Sequence, residues 1–415
     1  MAPGASGQIG AASGGAPFGV SAVRARFPAL AGDELVPLDN AATTHRPQAV
    51  LDALQRFYVE SNANVHRANH RLGMAATAAY EGSRRRVARF IEAEPDEVVF
   101  TRNATDSINL VARGFVEPLV GPGKSVVVSA LEHHSNLVPW QQVCRRTGAR
   151  LAVLECDERG QLREPFEFPA DAAFVAATRV SNALGTIVPT DRLVAAAAER
   201  GLPVLLDVTQ SVQHLPLDEG CRQADFLAFS GHKMYGPMGL GVLVGRRGVL
   251  ERVEPVVFGG EMVASVDQDG AQWQRVPYRF EAGTPAVAPA AALVPALDLL
   301  DELGLDAVRA HERRLLDRLL VGLEEVGGVL VLGPQGSLSR SGSVSMAIPG
   351  GDVHLAATVL DMAGVAVRAG WHCAEPLLTR LGAGPTLRAS LALYNTAEDI
   401  DRLLAVLPEA VAACR

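Results

Sequence analysis

Cysteine is scarce in this chain of 415 residues. The five present, at 144, 156, 221, 373 and 414, form no C-x-x-C pair and no zinc-like spacing with histidine. That excludes a disulfide scaffold and a structural zinc module, and widely spaced single thiols fit a reducing compartment. Long apolar runs are missing as well. No stretch of about 18 residues is free of charge or glycine, so no membrane span is expected. Surplus charge is also small: 38 Lys and Arg stand against 46 Asp and Glu, a net charge of −8. This balance argues against nucleic acid or an anionic membrane as a partner. The first 19 residues carry no charge and lack the basic start and apolar centre of a secretory signal. Rich in Gly, Ala and Ser, residues 1–20 read as a disordered tail. The expected setting is the cytoplasm.

What the chain does have is apolar residues, 48% of the total, and their arrangement predicts the fold. From about 95 to 245, seven short runs ("DEVVFT", "KSVVVSA", "ARLAVLE", "AAFVAAT", "LPVLLD", "DFLAFS", "GVLVG") alternate with helical patterns. Continuous Val/Leu/Phe runs separated by helices predict an α/β domain whose sheet is buried on both faces. Earlier, "PQAVLDALQRFYVES" places Val50, Leu51, Leu54, Phe57 and Tyr58 on one helical face. After about 295 the pattern changes to a long amphipathic helix, short strands and a last helix begun by Thr396 and Asp399, a capping-box-like start. The expected plan is a large domain, 36–295, with a mostly parallel, mixed seven-stranded sheet between helices. A small α+β C-terminal domain follows over 296–415, and the segment 21–35 packs on it.

Chemistry in such sheets gathers where strands end. The run "DFLAFS" ends in Ser230-Gly231-His232-Lys233. A lysine partly desolvated there can lose its proton and form an imine, although most loop lysines are only solvated charges. "LPVLLDVTQ" delivers Asp207, with Gln210 three residues on. Taken alone, Asp207 reads equally well as a helix N-cap. Buried, it needs a cation, and the protonated ring nitrogen of pyridoxal phosphate (PLP) is one. "NATDS" offers Thr105 and free N–H groups at a helix start, ready for a phosphate or for nothing more than a cap. His133 and Asn182 follow two further strands, where an imidazole can stack on a flat ring and an amide can bond a phenolic oxygen. "GPGKS" (121–125) is too short for a P-loop, and "GPMGLGVLVG" lacks dinucleotide spacing. The "RRR" at 84–86 reads as a solvated helix face.

Taken together, "SGHKMYGPMGLGVL", the Asp207–Gln210 pair, "EHHSN" (132–136), "RVSNALGT" (179–186), "FEAGTP" (280–285) and "RAGWHCAEPL" resemble the SUF-type cysteine desulfurases and selenocysteine lyases. These are class V aminotransferases of PLP fold type I, and the likeness runs from about residue 37 to 396. It implies pyridoxal 5′-phosphate as cofactor, with Lys233 its imine-forming lysine, Asp207 on the ring nitrogen and His133 over the ring. Gln210 and Asn182 face the ring hydroxyl or the substrate carboxylate. Thr105, Ser230 and His232 hold the phosphate, with Thr284 contributed by the partner subunit of a homodimer. Arg388 grips the substrate carboxylate, and His66 and Arg67 reach toward the neighbour's site.

Cys373, in "RAGWHC", matches the sulfur-accepting cysteine. A lone cysteine is usually a small core hydrophobe. The resemblance implies instead a thiolate that takes sulfur from L-cysteine as a persulfide, releases L-alanine and hands the sulfur to an acceptor protein. His372 and Arg368 are both near enough in sequence to lower its pKa. Trp371 stands where many relatives carry a second histidine, and Ala104 where a threonine is common. The alternatives are a selenocysteine lyase acting on L-selenocysteine, another PLP-dependent C–S lyase, epimerase or aminotransferase, and a non-catalytic protein that kept the fold. The other four cysteines read as buried or incidental, and no metal is expected.

Overall fold

The computed structural model describes residues 19–32, 34–67 and 69–415. Of the expected tail at 1–20, residues 1–18 therefore lie outside the described residues, while Gly19 and Val20 lead into a short helix, Val20–Arg24.

All seven apolar runs form strands of one sheet: β1 (Val98–Thr101), β2 (Ser125–Ser129), β3 (Arg150–Leu154), β4 (Ala172–Thr178), β5 (Val204–Asp207), β6 (Phe226–Ser230) and β7 (Gly241–Gly245). Their order is β1-β7-β6-β5-β4-β2-β3. Only β7 runs against the rest, pairing antiparallel with both β1 and β6. The sheet is thus mostly parallel and mixed, and its residues are buried on both faces by two separate apolar clusters. Gly241 opens β7 because a Cβ there would sit 2.3 Å from the Asn103 carbonyl carbon, and this close approach sets the strand against helix α3 (Ala104–Val111).

Helix α1 (Gln48–Glu60) forms as its periodicity predicts, but its apolar stripe is split. Val50 and Phe57 are buried, whereas Leu51 and Tyr58 are exposed. The stripe is wider than the groove it packs into, so its margin stays outside. In helix α2 (Arg71–Phe90) the expected solvated "RRR" face is overturned: Arg84 is 1% exposed and Arg86 is also buried, leaving only Arg85 outside. The 3.6-residue period turns position 84 inward with Tyr80 and Val87. The Arg84 guanidinium survives there by pairing with Glu281 at 2.7 Å and Glu81 at 3.1 Å.

Helix α4 (Val287–Leu303) buries residues in the large-domain core along its whole length, including Leu297, Leu299 and Leu300. Residues 295 and 296 lie inside it. Gly304, at φ 74°, turns the chain into helix α5 (Leu305–Glu325). Beyond it an antiparallel sheet of order β8-β9-β11-β10 is built from β8 (Leu330–Leu332), β9 (Ser343–Ala347), β10 (Arg368–Gly370) and β11 (Thr386–Ser390). Helix α6 (Ala397–Ala413) closes the chain from the expected Thr396–Asp399 capping box. This sheet and its helices enclose a core of their own. The segment 21–35 touches both units: Arg24 pairs with Asp399 at 3.0 Å, while Val23, Phe27 and Leu30 join the large-domain core. No helix among the described residues is long and apolar enough to cross a membrane.

Candidate active site

The parallel strands β1, β2, β4, β5 and β6 all end on one side of the large sheet, facing the small domain. Between them lies a cavity of about 280 Å3. Thr105, His133, Asn182, Asp207, Gln210, Ser230, His232, Lys233 and Arg388, nine of the residues singled out from sequence, line it. No group of three or more His, Cys, Asp or Glu suited to a metal occurs among the described residues.

Lys233 sits in the 310 turn that follows β6. Its ammonium makes no hydrogen bond or ion pair among the described residues, and burial pulls its pKa down to about 8, against the opposing pull of the Asp207 carboxylate. About a tenth is therefore free amine at pH 7, far more than for a solvated lysine. Asp207 is buried at the end of β5. Its Oδ1 accepts the Thr209 N–H at 3.0 Å, and burial pushes its carboxyl up, opposed by that bond and by Lys233. Its other oxygen is left for a cation in the cavity.

His133 accepts the Ser135 N–H on Nδ1 at 3.0 Å, which puts its proton on Nε2. Burial, followed by the Lys233 charge, holds its pKa near 3, so the ring is neutral. Beneath it lies Glu132, quoted within "EHHSN" and given no role by sequence reasoning. It is 3% exposed and accepts the Thr178 N–H at 2.7 Å and the Asn136 amide at 2.6 Å, tying the His133 turn to the end of β4. Burial raises its pKa to about 8 against those donors. An acidic residue straight after an apolar strand end is the one signal that could have found it.

The Asn103 side chain caps α3 at Asp106, and Ser230 Oγ accepts the Ala104 N–H at 2.8 Å. Thr105 Oγ1 bonds Ser135 Oγ at 2.7 Å. His232 Nδ1 lies 3.1 Å from Thr43 Oγ1, and burial with the Lys233 charge takes its pKa to about 4. Gln210 Nε2 donates to Ala41 O at 2.8 Å. The Asn182 side chain donates to His372 O at 2.6 Å, leaving its Oδ1 buried and unpartnered.

The small domain supplies the opposite wall. Arg388 on β11 is 1% exposed; it donates to Asn182 O at 3.0 Å and pairs with Asp39 at 2.9 Å, while its Nε has no partner. Arg368 on β10 is its direct cross-strand partner, also lines the cavity, and makes no hydrogen bond or ion pair among the described residues. Two facing guanidiniums with unspent donors form a site for a carboxylate. Cys373 is half-buried beside this wall, unlike the buried Cys144, Cys156, Cys221 and Cys414. Charge on its sulfur acts on both Lys233 and Arg388. Of its two sequence neighbours, His372 also lines the cavity but commits its Nε2 to the small domain, 2.9 Å from Thr386 Oγ1 and 3.1 Å from Thr386 O. Burial, then the charges of Arg388 and Arg368, hold its pKa near 3. His372 is therefore no cation beside the thiol; the charges the sulfur acts on are those of Lys233 and Arg388.

Four expected site residues are not among those lining the cavity: Cys373, which lies beside its small-domain wall, and Thr284, His66 and Arg67. Thr284 lines a separate hollow with Leu240 and Glu281. His66 bonds Glu81 at 3.0 Å, and Arg67 pairs with Glu261 at 3.4 Å.

The fold and this wall-to-wall arrangement coincide with a family match. Residues 36–403 match the aminotransferase class-V model, and the chain belongs to that family. Within it, the chain is 45% identical over 376 residues to a probable cysteine desulfurase of Halalkalibacterium halodurans, covering 90% of this chain and 92% of the relative. It is 41% identical to a cysteine desulfurase of Haloferax volcanii, covering 94% and 96%. Among solved structures, the apo cysteine desulfurase of Thermococcus onnurineus superposes with a TM-score of 0.90 at 38% identity, covering 94% of this chain and 98% of the other. A cysteine desulfurase of Escherichia coli, solved in an S-sulfonic acid form, gives 0.88 at 37%, covering 96% and 100%. The family is PLP-dependent, and the cavity fits that group: an unbonded lysine amine, a buried carboxylate oxygen left for a ring nitrogen, a buried unpartnered Asn182 oxygen and a capped helix start.

Proposed function

We propose that the chain is a cysteine desulfurase, converting L-cysteine to L-alanine and carrying the sulfur away on Cys373. The observation that carries this reading is a buried lysine in the cavity with a lowered pKa and a half-buried cysteine close enough that its charge acts on that lysine and on Arg388. Bound PLP supplies an electron sink for the bonds at the substrate's Cα and Cβ. Lys233 would hold the cofactor and move the substrate's Cα proton, Asp207 would pair with the ring nitrogen, and neutral His133 would lie against the ring. Ser230, Thr105 and His232 take the phosphate beside the α3 N–H groups. Arg388 and Arg368 hold the substrate carboxylate. That thiolate attacks the substrate sulfur: the S–S bond forms, the C–S bond breaks, and its electron pair remains with Cβ, which takes a proton to become the methyl of alanine.

The same reading makes the protein a homodimer with shared sites. Thr284, His66 and Arg67 lie away from their own chain's cavity, and nearby segments expose Tyr58, Val59, Met74 and Phe258. It also requires a protein that accepts the persulfide in the cytoplasm, with iron–sulfur assembly as one use of that sulfur. The deciding experiment incubates wild type and Cys373→Ala with L-cysteine and a reductant and quantifies alanine and sulfide. Equal amounts from wild type and neither from a variant that still binds PLP are expected. Turnover surviving in the variant, or pyruvate in place of alanine, would sink the relay.

A further inference from the structure

Cys373 occupies an unusual backbone position. Trp371 O accepts the Ala374 N–H at 2.9 Å, closing a tight turn whose two central residues, His372 at φ 54° and Cys373 at φ 55°, are both left-handed. Neither is glycine, and each such residue costs on the order of 1 kcal/mol or more, so the turn persists only where its surroundings over-determine it. The surroundings are identifiable. The His372 ring, 3% exposed, is driven into the small domain and held by Nε2 on Thr386, the first residue of β11. The His372 carbonyl accepts from Asn182 at 2.6 Å, and the Cys373 carbonyl accepts the His134 N–H at 2.8 Å. The strand-end loops of the large domain thus grip the backbone on either side of the sulfur, and the ring fixes the turn to β11, the strand that bears Arg388.

Asn182 is itself locked to the small domain through its own stretch of backbone. Arg388 donates to the carbonyl of Asn182, Ser345 to that of Ala183 and Arg340 to that of Leu184. Gly185 follows at φ +72°, where a Cβ would meet Ser343 O at 2.4 Å. The two domains therefore cannot shift relative to each other without disturbing the turn.

From this geometry we infer that His372 is a positioning residue: its ring pins the strained turn so that the Cys373 sulfur meets the substrate sulfur, and it neither takes nor gives a proton. The inference rests on the desulfurase reading above. Proton removal at the substrate Cα needs Lys233 and not Cys373, whereas persulfide formation needs Cys373 placed to within about an ångström. The two steps separate the role cleanly.

The test uses the PLP-loaded full chain with L-cysteine in D2O. It measures exchange of the cysteine Cα hydrogen and persulfide on Cys373 by mass spectrometry in a single turnover. In His372→Gly the backbone remains free to adopt φ +54° while the anchor is gone. Expected are exchange within twofold of wild type and persulfide formation slowed about 10- to 100-fold, by the same factor at every pH from 6 to 9. Thr386→Val, which removes one of the two acceptors of the ring, should show the same split at about threefold. It also decides the matter if His372→Gly does not fold. Parallel loss of both steps, no loss in either, or a pH profile that changes shape in the variant would overturn the proposal. A wild type that exchanges the hydrogen but forms no persulfide would instead overturn the desulfurase reading itself.

Discussion

The two walls of the cavity do opposite things with burial. On the large-domain wall, burial makes protons easy to move: Lys233 falls to about 8, and His133 and His232 become neutral. On the small-domain wall, charge is kept despite burial, because the buried guanidinium of Arg388 cannot be neutralised near neutral pH. One wall is suited to bond-making and proton transfer, the other to holding an anion and a thiolate. The difference follows from residue type placed on strand ends of two different sheets.

The sharpest way to break this comparison is to remove the one amine. Lys233→Ala should lose the visible absorbance of the lysine-bound cofactor and all detectable alanine formation, read by spectroscopy and product analysis. Weakening the opposite wall should cost less. Arg388→Lys keeps a cation but loses the planar fork, so KM for L-cysteine should rise about tenfold with kcat changed less.

Next comes the pH response of the large-domain wall. Lys233 has a folded pKa of about 8 against an ordinary 10.5, so between these values the unfolded chain holds more protons than the folded one. Stability of the cofactor-free protein from this group should therefore rise with pH across that window, and PLP uptake should accelerate as pH rises through about 8. Uptake that keeps rising only toward 10.5 would show a solvated lysine. The smallest effect concerns Glu132, whose folded pKa of about 8 lies above the ordinary 4.5. Its stabilising share is present below the lower value and lost as pH rises through 8. Glu132→Gln should remove that slope, about 1.4 kcal/mol per pH unit at most, seen as urea midpoints that no longer fall with pH.

Much of this was legible beforehand, for reasons tied to particular residues. Seven runs of Val, Leu, Phe and Ala are strands because a sheet covered on both faces needs no polar alternation. Lys233, Asp207 and His133 follow such strands directly, so topology alone sends them to one side. What sequence reasoning missed depended on direction. Arg84 and Arg85 are adjacent and chemically alike, yet helical phase buries the first and exposes the second. Leu51 and Tyr58 share a helical stripe with Val50 and Phe57 but lie at its open margin. His372 and Arg368 were equal candidates beside Cys373, since both are basic and both are close in sequence.

By itself, then, the chain determined its strands, their shared orientation and the residue types that reach their ends, because periodicity and local backbone preference are written in short stretches. Which way each side chain faces, and so which cation stands by the thiol, was decided only by tertiary structure. Thr386 lies 14 residues after His372 and Asn182 lies 190 before it, and no local rule couples them. The fold brings these hydrogen-bond partners to the same few ångströms, where an unpaired buried group is costly and orientation follows from satisfying it.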